Sequence, residues 1–316
     1  MKKYFYWIGV GLSIALASYF LHFAANTLKN YDFQVFMTPD LVFSIIAAAL
    51  LYSLCIPMSG WAWHILLRGM GVAWEPKNLS AIMGVTQIAK YIPGNIGQHI
   101  GRTALALAKG MSVGAYTGSV LMETVLAMLA GFFVGIFFIL ISPVPSLHIL
   151  DEYKAMLFLA AIGLVVFAIM LPWFILSVNN FTQRPFFATR WKVQQITSPG
   201  YKAIGLAFFG YCLNYAVIGL GLWLISLAIS GNMPFDYFYL TAAFALSWLL
   251  GFVTPGAPAG IGVREGIMAL LLSGAGQSNE IFLMIAAMRF ATIAGDGFVF
   301  IVAANYIRLN PSAKNT

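Results

Sequence analysis

Six stretches of this chain contain no Asp, Glu, Lys or Arg: Tyr4 to Leu28, Leu41 to Leu67, Thr124 to Leu150, Ala155 to Gln183, Ala203 to Phe235 and Tyr237 to Val263. Most exceed the roughly 20 apolar residues that cross a bilayer as a helix. Only 9% of the 316 residues are charged and 61% are hydrophobic, whereas soluble domains carry about 25% charged residues. A soluble globular enzyme is therefore excluded. A membrane β-barrel would show alternating segments of about 10 residues instead, so the expected fold class is an all-α polytopic membrane protein. The first run follows Lys2 and Lys3 as a secretory signal would, but it is longer than a signal core and no convincing cleavage site follows, so an uncleaved helix is expected.

The formal charge is +7, yet the basic residues lie singly between apolar runs and form no dense patch. No nucleic acid partner is expected. Lys2, Lys3, Arg68, Lys77, Arg184, Arg190, Lys192, Lys202, Arg308 and Lys314 mark the cytoplasmic side under the positive-inside rule. The opposite loops hold Asp32, Asp40, Asp151, Glu152 and Asp236 against Lys29 and Lys154. Both termini are then cytoplasmic. Cys55 and Cys212 fall inside apolar runs and read as packing residues. Trp7, Trp61, Trp63, Trp173 and Trp191 lie near predicted helix ends, as an interfacial aromatic belt requires, and His64 beside Trp63 reads as interfacial.

Two stretches do not fit a plain series of spanning helices. Leu79 to Lys109 carries Lys90, His99 and Arg102 around Pro93-Gly94, and Tyr237 to Gly274 carries Arg264 and Glu265 after Pro255-Gly256. Proline removes a backbone donor and glycine permits a sharp reversal, so each reads as two shorter helices joined by a turn. Irregular backbone at membrane depth is tolerated only inside protein or beside a water-filled cavity. Returned to their own sides, the first hairpin opens to the cytoplasm and the second to the outside. The chain then reads as one membrane domain of two inverted repeats, 1–150 and 151–316, each with three spanning helices and one re-entrant hairpin. Trp61, Pro93, Gly94 and Arg102 recur as Trp223, Pro255, Gly256 and Arg264 at an offset of 162, and Met122-Glu123 and Gly131-Phe132 recur as Met288-Arg289 and Gly297-Phe298 at an offset of 166. Inverted repeats with broken helices are a recurring transporter architecture.

The segments KYIPGNIGQHIGR and TPGAPAGIGVREG, with the later Arg289, resemble the lysylphosphatidylglycerol synthase transmembrane family of flippase-like integral membrane proteins, over nearly the whole chain. The resemblance implies lipid translocation across a bacterial or archaeal cytoplasmic membrane. Bifunctional members carry a soluble aminoacyltransferase domain after the membrane part. This sequence ends at Thr316, shortly after its last predicted helix, so lipid aminoacylation is not expected of it.

On physical grounds the first turn leads into a helix whose start Asn95 could cap, and free N–H groups at a helix N-terminus favour an anion. Lys90 and Arg102 add positive charge beside Pro93, Gly94 and Asn95, and Pro255, Gly256, Arg264 and Glu265 offer the same arrangement from the other face. These residues are the candidate site for a phosphate-bearing lipid head group. The alternative is that both turns are structural kinks with snorkelling basic residues. Glu123 and Arg289 fall about ten and eight residues into their predicted helices, where an unpaired charge costs at least roughly 2.5 to 3.5 kcal/mol. They are expected to pair with each other or with substrate, and Asp296 shares a helical face with Arg289. His99 reads as a hydrogen-bonding residue with a proton carrier as the alternative.

No metal-ligand spacing, Walker A sequence, GxSxG elbow or HExxH pair is present, and no cofactor is expected. The leading expectation is a flippase moving a phosphate-containing lipid, whether a phospholipid, an aminoacylated phospholipid or a polyprenyl-phosphate-linked sugar. The alternatives are a head-group transferase using Glu123 or Glu265 as general base, and a non-catalytic scaffold associated with cell-envelope biosynthesis enzymes.

Overall fold

The computed structural model describes residues 38–91, 97–142, 154–182, 198–231, 235–254, 258–273 and 275–310. The expected first helix, Trp7, Trp191, Pro93, Gly94, Asn95, Pro255 and Gly256 lie outside them. Among the described residues the chain forms nine α-helices: α1 (Pro39–Gly69), α2 (Pro76–Thr86), α3 (Gly97–Ala108), α4 (Val113–Ile141), α5 (Lys154–Thr182), α6 (Tyr201–Ser230), α7 (Tyr237–Val253), α8 (Val263–Leu272) and α9 (Ser278–Leu309). Short 3₁₀ turns, Gln87–Tyr91 and Pro258–Gly260, follow α2 and α7.

Four helices, α1, α4, α6 and α9, are long and apolar enough to cross a membrane. Their outer faces stay apolar too: Phe43, Phe209, Phe290 and Ile301 are exposed. A helix that is hydrophobic all round belongs in a large core or in lipid, and this is an integral membrane protein. Between helices, where lipid removes most of the hydrophobic drive, small residues allow close packing. A Cβ at Gly221 of α6 would crowd Ala48 of α1, and one at Gly295 of α9 would meet the Ala49 carbonyl and Tyr52 of α1. These two contacts bind α1 between α6 and α9.

Each broken segment holds two shorter helices, α2 and α3 in the first and α7 and α8 in the second, with the first beginning earlier than expected, at Pro76. The Tyr306 hydroxyl donates to Asn78 Oδ1 at the start of α2 (3.3 Å), Gly84 packs on Val299 and Ala303, and Lys90 and Tyr91 reach Asp296. The segment thus climbs α9 from the level of Tyr306 to that of Asp296, about 15 Å at 1.5 Å per residue. α3 then returns: Arg102 meets Glu123 of α4, and Ala106 packs with Met111 and Ala115 near the start of α4. Gly69, at the end of α1, lies against Pro199 and Ala203 before and within α6. Both ends of the first unit therefore lie at one end of the bundle.

The second unit starts and finishes at the other end. Ser142, after α4, donates to Asp236 at the start of α7 (2.8 Å), and the Tyr239 hydroxyl donates to the Leu271 carbonyl near the end of α8. Phe235 packs against Gly276, just before α9. The 3₁₀ turns of the two units pack against each other between these ends.

Candidate functional site

Seven charged side chains converge where the turns meet. Arg102 of α3 is buried and donates from both terminal nitrogens to Glu123 of α4, one bond being 2.9 Å and the other joining Nη2 to Oε2. The bidentate fork fixes orientation as well as charge. Trp63 of α1 covers the guanidinium, its ring centroid 3.7 Å from Cζ, and its indole N–H donates to Ser119 Oγ at 2.8 Å, one helical turn before Glu123. Trp63 is fully buried. It is therefore part of the site rather than of an interfacial belt, correcting the sequence reading; Trp61 is exposed as expected. His64 bonds through Nδ1 to the Trp74 carbonyl oxygen at 2.5 Å.

Lys90, at the first turn, sits 2.7 Å from Asp296 Oδ2 of α9. Tyr91 donates to the same oxygen at 2.6 Å. Tyr52 of α1 donates to Asp296 Oδ1 at 3.2 Å and accepts from Lys90 at 3.0 Å. Asp296 is almost fully buried, and three donors from two other elements replace the water it has lost.

In the second unit the polarity is reversed, because the broken segment supplies the acid and the long helix the base. Arg289 of α9 places Nε 3.2 Å from Glu265 Oε1. Glu265 Oε2 accepts from the Gly262 N–H at 2.7 Å, closing the first turn of α8 as a side-chain cap does. Gly262 has φ 82°, a left-handed conformation that glycine adopts without strain. Arg264 lays its aliphatic stem against Gly251 and Gly260, where a Cβ on either would collide with it, and holds Cζ 5.1 Å from the Phe244 ring centroid. It lies within electrostatic reach of Arg289, Glu265, Tyr52 and Asp296.

Glu123 and Arg289 do not pair with each other, contrary to the expectation, because each is neutralised by the broken segment packed against its own helix. Asp296 likewise binds Lys90 rather than Arg289. Neither Lys90 nor Arg102 presents an uncompensated charge to an anion, and Glu123 and Glu265 are both committed to arginines. Three carboxylates face four cations, so this cluster carries one surplus positive charge, and Arg264 is the cation without a carboxylate in a salt bridge among the described residues.

Beside the cluster lies a cavity of about 200 Å³ between α1, α3, α4, α6 and α7, lined by Arg102, Glu123, Tyr211, Asn214, Tyr215 and Trp248 among others. His99 lines it too, its ring 3.4 Å from Gln98 Nε2. Cys55 lines it as a buried free thiol, and Cys212 is also free. A smaller pocket of about 20 Å³ adjoins Arg264, Glu265 and Arg289. Tyr52, Trp63, Tyr211 and Asn214 were not singled out as site residues from the sequence. An amide inside the apolar run from Ala203 to Phe235 was the one signal that could have found Asn214, since a polar group there needs partners.

These features define a polytopic helical membrane protein with two broken helical segments and a buried, charge-paired centre. The chain belongs to the family described as lysylphosphatidylglycerol synthase TM region, matched over residues 6–299. No curated protein matches it.

Proposed function

We propose that this protein is a lipid flippase that moves a phosphate-containing lipid between leaflets. The observation that carries the reading is the meeting of two broken segments, begun at opposite ends of the bundle, over a surplus positive charge beside a cavity with a few polar groups. In this reading the segments are re-entrant hairpins, and the halves 1–150 and 151–316 are inverted repeats. The climb of about 15 Å along α9 is half of the roughly 30 Å hydrocarbon core. Arg264 then attracts the phosphate near the midplane, the tails stay in the bilayer, and rocking of one half against the other exposes the cavity to each side in turn. The termini and the ends of the first hairpin face the cytoplasm, and the ends of the second face outward.

The test uses sealed proteoliposomes carrying fluorescent phosphatidylglycerol, lysylphosphatidylglycerol or a hexosyl prenyl phosphate in one leaflet. Leaflet change is read by an impermeant quencher and chemical conversion by chromatography. Movement of at least one lipid without conversion, reduced in Arg264→Gln, is expected. Conversion would favour a transferase, and neither movement nor conversion would favour a scaffold.

A further inference from the structure

Among the described residues, three polar atoms of side chains at the large cavity have no hydrogen-bond partner: Arg102 Nε, Tyr211 Oη and Asn214 Oδ1. Their residues are only 7%, 4% and 9% exposed, and buried polar groups in native proteins are normally bonded. All three residues line the same cavity. The other end of the Asn214 amide is fixed, its Nδ2 donating to Ser59 Oγ at 2.9 Å, and Arg102 is fixed by Glu123 and Trp63. The unpaired set on the residues lining the cavity is thus one donor, one acceptor and one hydroxyl able to act as either.

Neither charged head-group chemistry satisfies this set. Phosphate oxygens only accept, so a phosphate placed here would face Asn214 Oδ1 and the Glu123 carboxylate. An ammonium only donates, so a lysyl group would face the Arg102 Nε–H and would find Glu123 already paired. A hydroxyl both donates and accepts, so a ring bearing several hydroxyls suits a mixed set of donor, acceptor and hydroxyl. The volume of about 200 Å³ leaves room for a single sugar ring. Trp248, Tyr211 and Tyr215 supply aromatic walls, matching the general form of pockets with apolar sides and a few placed polar groups. Trp248 and Tyr215 meet edge to face at 5.8 Å.

We infer that this cavity binds an uncharged, hydroxyl-rich head group, a hexose or a similar polyol, joined through phosphate to the lipid tail. The phosphate lies toward Arg264, whose stem packs on Gly251 next to the cavity-lining Phe252. The inference rests on the flippase reading for its role in transport and on the cavity alone for binding.

The experiment titrates the purified full chain, in a polyoxyethylene detergent that contributes no sugar, with three short-chain probes in a calorimeter. They are a prenyl phosphate methyl ester, the same prenyl phosphate esterified to one hexose, and short-chain lysylphosphatidylglycerol. The hexosyl probe is expected to bind about tenfold more tightly than the methyl ester, the scale of one or two net hydrogen bonds, and more tightly than the lysylated probe. In Tyr211→Phe, which keeps the ring and removes only the hydroxyl, and in Asn214→Leu, the ratio of hexosyl to methyl-ester affinity should fall toward one. Equal binding of the two prenyl probes, tighter binding of the lysylated one, or a preference that survives in both variants would overturn the inference. Leaflet movement of the same probes in vesicles separates the two readings. A hexose preference without movement removes the flippase and keeps the site, whereas movement of methyl-ester or lysylated lipid without that preference keeps the flippase and removes the site.

Discussion

The two broken segments look alike in sequence and are held quite differently. The first is fastened twice, by Lys90 to Asp296 of α9 and by Arg102 to Glu123 of α4, and so bridges two long helices. Among the described residues the second has one such ion pair, Glu265 to Arg289, and its own cation, Arg264, sits over the Phe244 ring. Positions that correspond at the 162-residue offset thus differ in their surroundings: Arg102 is bound by a carboxylate, while Arg264 sits over an aromatic ring. The comparison teaches that a buried arginine marks an anion site only after its carboxylate partners have been found.

The largest effect should come from breaking the first lock. Glu123→Gln strands Arg102 in a buried site, with an expected destabilisation of about 3 to 5 kcal/mol. A large fall in melting temperature would show it, and the Arg102→Gln/Glu123→Gln double variant should recover much of the loss. Strictly additive losses would mean that the two side chains do not interact. Arg289→Gln should cost less, about 1 to 3 kcal/mol, because Glu265 keeps its bond from the Gly262 N–H. If thermal melting ranks these two variants the other way, the two fastenings are not as unequal as their geometry.

Smaller still is Tyr91→Phe, which removes one of the donors to Asp296 and leaves Lys90 and Tyr52 in place. About 1 kcal/mol or somewhat more is expected by melting, since the acceptor is charged. Arg264→Gln should scarcely change the melting temperature, as no ion pair is broken, while transport in proteoliposomes falls. Arg264→Lys should keep part of it, retaining charge but not the planar fork. A variant that transports fully would take away the distinction between locking and attracting arginines.

Much of the architecture was legible because lipid imposes it: the charge-free runs beginning at Leu41, Thr124, Ala155 and Ala203 lie largely in long helices, and a shorter helix stands on each side of each Pro-Gly position. The pairing of charges was not legible. Glu123 and Arg289 occupy corresponding places along the chain, but a helix residue pairs with whatever packs across its face, and α3 and α8 bring different residues there. Trp63 illustrates the same gap, because proximity to a predicted helix end resembles an interfacial belt until α3 is seen to cover it. Tyr211 and Asn214 stood in an otherwise apolar run, and their convergence with Arg102 depends on how α6 packs against α1 and α4 and faces α3 across the cavity, which no local pattern encodes.

The central claim is that the two broken segments enter from opposite sides of the membrane and meet within it. Single cysteines at Val72, before the first segment, and at Gln277, after the second, test this in a background with Cys55 and Cys212 replaced by serine. With an impermeant thiol reagent added outside intact cells, Gln277→Cys should label and Val72→Cys should label only after the membrane is opened. Labelling of both positions from the same side would contradict the account.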